Sequence, residues 1–287
     1  LRAAPALAGE LSDPLAHASA LLEFELTVPP GGSRTVSFTA PLGGGDPGPE
    51  PAGTIDARLD AVARGWRARL DRVRIDVPAA SSAIPATLRT TLAHILMSRD
   101  GAMLRPGTRS YARTWIRDGA MMAAGLLRMG EADAARDFVD AFSRYVYPSG
   151  KVPCCADARG ADPVVENDSH GQYLYAVAEV YRHTKDAAFL ERHWPIVKRV
   201  VTWLEGLRQS TRTAEFRASH PAKLVGLLPP SISHEGYSDK PAYSYWDDFW
   251  AIRGYRDAIA IGRALDHADA VAPWAAWAAE FEAEVAR

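Results

Sequence analysis

Two adjacent carboxylates, Asp247 and Asp248, stand inside the stretch Tyr243-Ser-Tyr-Trp-Asp-Asp-Phe-Trp250. Tyr243, Tyr245, Trp246, Phe249 and Trp250 surround them in sequence, and a solvated charge pair would not need so many rings. Aromatic faces suit sugars, whose C–H faces are apolar while their hydroxyls need polar partners at the edges. Desolvation by such rings raises a carboxyl pKa, and a carboxylic acid still protonated near neutral pH serves as a general acid. The plainer alternative is a helix N-terminus, where Asp is favoured by capping and by the helix dipole.

Two further clusters carry similar chemistry. Tyr111-Ala-Arg-Thr-Trp-Ile-Arg-Asp118 ends in an Arg117-Asp118 pair that reads either as a buried ion pair fixing a loop or as a clamp for hydroxyls, Asp accepting and Arg donating. Glu166-Asn-Asp-Ser-His170 supplies Asp168, which fits a helix N-cap or a second hydroxyl acceptor, with Gly171 suited to close helix packing. His170, His234 and Glu235 lie near these motifs and are candidates to line the same pocket. The methionines Met121, Met122 and Met129 read as core filler.

The elements that must position these groups are helical. Apolar spacing predicts a charged helix over 55–73, then helices over 88–97, 119–129, 132–145, 171–181, 187–207, 248–265 and 270–285. Those over 119–129 and 171–181 are apolar almost all round and should be enclosed, whereas their neighbours carry a polar face. This alternation predicts an inner and an outer layer of helices. Each polar cluster precedes an inner helix, so all three should meet at one end, in a funnel suited to a ligand. Upstream, residues 21–40 alternate apolar and polar around Pro29-Pro-Gly-Gly32 and predict the closing hairpin of a β-domain. A Gly/Pro-rich linker follows at 43–53. The expected organisation is therefore the end of an N-terminal β-sandwich at 1–45, a linker and connecting helix at 46–80, and a helical domain at 81–287.

Composition bounds the alternatives. The 287 residues are 47% hydrophobic and 24% charged with a net charge of −2, ordinary for a soluble globular chain. No basic run argues for nucleic acid, and no apolar run approaches bilayer length. The adjacent Cys154 and Cys155 suggest neither a disulfide framework nor a zinc site. No metal or organic cofactor is indicated. The chain begins at Leu1 without a leader-like segment and stops inside an amphipathic pattern at Glu-Val-Ala-Arg287, which leads us to expect a piece of a longer protein and leaves compartment and oligomeric state unassigned.

Taken together, Trp115-Ile-Arg-Asp118 before an Ala/Met/Gly helix, Asp168 entering another helix, and Trp246-Asp-Asp248 resemble the (α/α)6-barrel glycosidases. The likeness is to the glucoamylase family and its relatives among trehalases, processing glucosidases and sugar phosphorylases, and covers roughly residues 84–285. It implies a partial (α/α)6 toroid of helical hairpins. In glucoamylases a Trp-x-Arg-Asp loop holds the non-reducing sugar, and the pair here would be Arg117 and Asp118, beside Trp115. The family's general acid is the first carboxylate of Trp-Glu-Glu. The resemblance therefore makes Asp247 the acid, with Asp248, Asp168, His170, Tyr245 and Trp246 as substrate-binding neighbours. Asp in place of Glu shortens the reach by one methylene. The implied activity is inverting hydrolysis at the non-reducing end of a glycoside, an α-glucoside by first expectation. The family's base is a Glu late in the ring, beyond the helices seen here, so this chain alone is expected to be inactive. A phosphorylase on the same fold, or a non-catalytic carbohydrate-binding toroid, are the alternative readings.

Overall fold

The computed structural model describes residues 14–15, 23–36, 54–233 and 236–287. The chain divides into two compact units, Leu1–Arg64 and Gly65–Arg287, a division that falls inside helix α1 (Ile55–Leu70). In the first unit Thr54 receives the amide of Ala57 and opens α1. Residues 23–36 hold the expected turn, closed by the Gly32 amide on the Pro29 carbonyl at 2.9 Å, but no strand ladder forms among the described residues. Phe24, Leu26 and Val28 all stay exposed. Residues 21–22 and 37–40 of the expected hairpin lie outside the described residues.

The second unit is helical, with α2 (Ala83–Met97), α3 (Ile116–Arg128), α4 (Ala132–Phe142), α5 (Asp168–Thr184), α6 (Ala187–Ser210), α7 (Ala214–Ser219), α8 (Tyr245–Ala264) and α9 (Ala268–Val285). Inner helix α5 lies between α3 and α8, and α4, α6 and α9 pack behind them. The two-layer expectation holds. One buried apolar cluster runs through the unit, from Leu92 and Ile116 through Phe138, Tyr173 and Leu204 to Tyr255 and Phe281. Buried polar links tie the layers as well. Tyr173 on α5 meets His193 Nδ1 on α6, and His193 Nε2 reaches Asp140 on α4 at 2.7 Å. The Tyr255 hydroxyl on α8 donates to Glu205 on α6 at 2.7 Å.

Connections at the two ends of the layers differ. Each inner helix passes to its outer partner through a tight turn holding one left-handed residue: Gly130 (φ 78°), Lys185 (φ 55°) and Asp266 (φ 58°). The returns, between α4 and α5 and between α6 and α8, are long and carry the only strands among the described residues apart from β1 (Thr114–Trp115). β1 pairs antiparallel with β2 (Cys155–Asp157), and β2 with β3 (Gly160–Ala161). β4 (Ser231–Ser233) pairs antiparallel with β5 (Tyr237–Ala242), which leads into α8.

Helices α5 and α8 approach most closely at Gly171. A Cβ there would lie 1.9 Å from the Trp250 carbonyl oxygen, and one at Gly254 would lie 2.8 Å from the Gly171 Cα. Glycine is required because backbone, not a movable side chain, occupies the space. We expect Gly171→Ala to cost about 3 kcal/mol or more, at the upper end for overpacked cores. Gly206→Ala, mid-helix in α6 with open space at its Cα, should instead gain up to about 1 kcal/mol. Thermal melting of both variants checks this; a wild-type melting temperature for Gly171→Ala would refute the contact.

Candidate functional site

The inner helices begin earlier than the apolar period suggests. Arg117 and Asp118 fall in the first turn of α3, Asp168 in the first turn of α5, and Asp247 and Asp248 in the first turn of α8, so the polar groups sit on helix ends rather than in the preceding loops. None of these carboxylates caps its own helix. The cap of α8 is Ser244, whose hydroxyl accepts the Trp246 amide at 3.2 Å. That leaves Asp247 and Asp248 free to face inward.

The small sheet presents the first cluster. Trp115 pairs with Cys155 across β1 and β2, and the Ile116 amide donates to the Cys154 carbonyl at 2.9 Å. The Trp115 ring lies buried against Cys154, Cys155 and Val164, with Tyr111 at 6.0 Å on its flank. It is a packing wall under the turn rather than an open platform for a sugar. Both cysteines are free thiols, buried in this wall.

From that turn Arg117 reaches across to α5. Its guanidinium lies 3.1 Å from Glu166 Oε2, 3.6 Å from Asp168 Oδ2 and 3.9 Å from Asp118 Oδ2. Burial works against the cation, but the surrounding Glu166, Asp168 and Asp118 charges hold its pKa above the ordinary arginine value. Asp168 is buried and accepts from Gln172 Nε2 at 2.7 Å and from the Trp246 indole at 2.8 Å. The indole bond joins the second and third clusters. Burial raises the Asp168 pKa, against the pull of Trp246, Arg117 and Gln172.

On α8 the two aspartates take different partners from the segment before β5. Asp247 Oδ2 accepts from the Ser231 hydroxyl at 2.6 Å, and Asp248 Oδ1 accepts from the Leu228 amide at 3.0 Å. Both carboxyls are almost wholly buried, at 3% and 2% exposure. Burial pushes Asp247 up to about 7, helped by the nearby Asp168, Asp248 and Glu166 charges and opposed by Ser231. Burial also pushes Asp248 up to about 6, opposed by the Leu228 amide.

The raised carboxyl pKa expected from the sequence is therefore present, but its source differs. Tyr245 and Phe249 stack on one another at 6.0 Å and both lie exposed, and Trp246 shows much of its ring to solvent. Positions 245 and 249, and 246 and 250, are one turn apart and share the outward side of α8. The aspartates turn toward the Leu228–Ser233 segment, which supplies the partner of each.

Arg117, Asp118, Asp168, Trp246, Asp247 and Asp248 thus converge at the N-termini of α3, α5 and α8. His170 stands apart. It is fully enclosed, its Nδ1 is 3.1 Å from the Asn167 carbonyl, its ring stacks on Trp203 at 6.5 Å, and burial lowers its pKa to about 4. It is a neutral support for the α5 end. His234 and Glu235 lie outside the described residues. The geometry adds Glu166, Gln172 and Ser231. Glu166 belongs to a motif already singled out, and Gln172 stands one turn from Asp168, a spacing that predicts their bond. Ser231 carries no sequence signal, since a serine in a Pro-rich return resembles any other.

No family model matches the chain, and no curated protein matches it. Among solved structures, the crystal structure of a GH78 family rhamnosidase of Bacillus sp. GL1 aligns over 69% of this chain with a TM-score of 0.53 at 15% identity. This chain shares a fold with part of that rhamnosidase. The alignment covers 20% of the rhamnosidase chain, so this chain spans about a fifth of its length. At that identity the likeness speaks to the helical architecture alone.

The raised pKa values carry a stability signature. Both aspartates titrate above the ordinary carboxylate value near 4, so the folded protein keeps protons that the unfolded chain releases between about pH 4 and about pH 7. Their stabilising contribution is complete below that window and is lost as pH rises through it. Asp247→Asn, which cannot ionise, should gain on wild type by up to roughly 1 kcal/mol per pH unit between about pH 5 and about pH 7. Denaturant melts of both proteins across that range test this; parallel pH profiles would show that Asp247 ionises normally.

Proposed function

We propose that this chain is the part of a glycoside hydrolase that holds the non-reducing-end sugar and supplies the general acid, Asp247. The observation that carries the reading is an enclosed carboxyl, titrating at about 7, at the same helix ends as the Arg117, Asp168 and Trp246 cluster. Such a group keeps its proton near neutral pH and gives it to a leaving oxygen as the glycosidic bond breaks. The surplus of carboxyls over the single guanidinium suits the positive charge that builds on the sugar ring in the transition state.

In this reading Asp118, the most exposed carboxylate of the cluster, and Asp168 accept sugar hydroxyls. Arg117 orients both. The exposed Trp246 ring, whose indole meets Asp168, lies against the substrate, with Tyr245 at the outer rim and Trp115 and His170 behind as support. Asp248 is the less suited acid, because its partner is a fixed backbone donor that favours its ionised form. Inversion requires a second carboxyl roughly 6.5–9.5 Å from the first. The likeness to glucoamylases puts that base outside residues 84–285, and none of the cluster carboxyls is given the role.

An α-glucoside remains the first substrate to test, and the rhamnosidase neighbour makes rhamnosides the next. A phosphorylase is disfavoured because a site this rich in acids repels phosphate. A non-catalytic sugar-binding protein is separated by turnover. In the full-length gene product, Asp247→Asn should lower kcat by about 100-fold to 10,000-fold with KM little changed. Asp118→Asn should chiefly raise KM. NMR of the anomer first released, with and without phosphate, reads the stereochemistry and the acceptor. Loss centred on Asp248→Asn instead would exchange the two aspartates, and binding without turnover by wild type would favour the binding protein.

A further inference from the structure

The segment from Leu228 to Ser233 crosses the start of α8 and is fastened on its other side to the loop before α5. The Asn167 side-chain Nδ2 donates to the Pro229 carbonyl at 2.9 Å, and the Ile232 backbone amide donates to the Val165 carbonyl at 3.1 Å. Its register against β5, with Ser231 opposite Ala242, brings Ser231 beside the first turn of the helix that β5 enters. The segment makes one bond to each aspartate, from the Leu228 amide to Asp248 and from the Ser231 hydroxyl to Asp247, and the two bonds differ in kind. A backbone amide only donates. A hydroxyl donates to a carboxylate, and by rotating accepts from a carboxylic acid.

We infer that Ser231 is the positioning residue for the acid, holding Asp247 in one orientation in both protonation states and setting the pH at which its proton leaves. The inference rests on the assignment of Asp247 as acid. Ser231 is buried, and its hydroxyl is 2.6 Å from Asp247 Oδ2 against 3.3 Å from the Ile232 carbonyl, so its proton goes to the aspartate. Among the described residues, the charged groups that face Asp247 are Asp168 and Glu166 from the α5 end and Asp248 on its own helix, with Arg117 of α3 behind Asp168. All three carboxylates disfavour a negative Asp247. Ser231 is the donor that opposes them.

The sign of the effect follows. Removing the hydroxyl removes a donor to the ionised form, so Asp247 keeps its proton to higher pH. In Ser231→Ala the alkaline limb of kcat/KM should move up by roughly one pH unit, the tenfold change that one hydrogen bond to a charged group supplies. The rate at the optimum should fall by roughly tenfold as the acid loses its fixed orientation. Ser231→Thr, which keeps the hydroxyl, should restore both. A purely structural serine would lower the rate without moving the limb.

The experiment follows two readouts in the full-length gene product: pH profiles of kcat/KM, and NMR titration of the Asp247 carboxyl carbon, in wild type, Ser231→Ala and Ser231→Thr. A higher Asp247 titration point in Ser231→Ala alone supports the inference. An unmoved point, or an equal shift in Ser231→Thr, overturns it whatever the activity. Should Ser231→Ala lose its fold, Ser231→Cys keeps the volume with a weak donor and should give an intermediate shift; no shift there counts equally against Ser231. Wild type that cleaves no glycoside, or Asp247→Asn with wild-type rates, removes the catalytic reading instead, while the carbon titration still decides whether Ser231 governs the proton.

Discussion

The meeting of α5 and α8 at Gly171 decides where the functional groups fall. With no side chain at that position, the Trp250 carbonyl occupies the place a Cβ would take. The contact lies about one helical turn below Asp168 on one helix and one turn below Trp246 on the other. Locking the lower turns therefore sets the upper ones opposite each other, and the indole of Trp246 reaches Asp168 at 2.8 Å. A wider spacing between these helices would leave a buried carboxylate without that donor. Asp168 would then rely on Gln172 and Arg117 alone, and a donor lost from a buried carboxylate costs more than the net worth of one bond.

Around that fixed pair the cluster is defined by an imbalance of charge. Arg117 is the guanidinium among Asp118, Glu166, Asp168, Asp247 and Asp248, and it is closest to Glu166. Burial disfavours the ionised forms of Asp168, Asp247 and Asp248. Protons are kept, and local geometry decides where. Asp168 has two side-chain donors in addition to Arg117, Asp248 has a backbone amide, and Asp247 has one hydroxyl with three carboxylates about it. Asp247 titrates above its neighbour Asp248.

Much of this was legible in the residues and some was not. Helix positions in the second unit follow from apolar spacing, and the alternation of enclosed and half-polar helices predicts their layering. Gly171 announces close packing. The starts of α3, α5 and α8 come earlier than the pattern indicates because their first turns carry Arg117, Asp118, Asp168, Asp247 and Asp248, which break the apolar period while remaining helical. The aromatic residues beside Asp247 are not what encloses it, since period 3.6 turns most of them away from the carboxyls. Ser231 and the Leu228 amide were invisible because backbone donors and lone hydroxyls in a return have no distinctive spacing. The strands expected over residues 21–40 fall partly outside the described residues.

The unlike connections at the two ends of the helical layers bear on the order of folding. Tight turns at Gly130, Lys185 and Asp266 join helices whose contacts are close in sequence. The bonds that assemble the site span much longer stretches, 49 residues from Arg117 to Glu166 and 78 from Asp168 to Trp246. Loop-closure entropy disfavours such pairings until local hairpins have shortened the effective search. The hairpins can therefore close while the carboxyl cluster is still dispersed and hydrated. The burial that raises the aspartates' titration points needs α5 and α8 together, so it is a property of the docked helices and of neither hairpin alone.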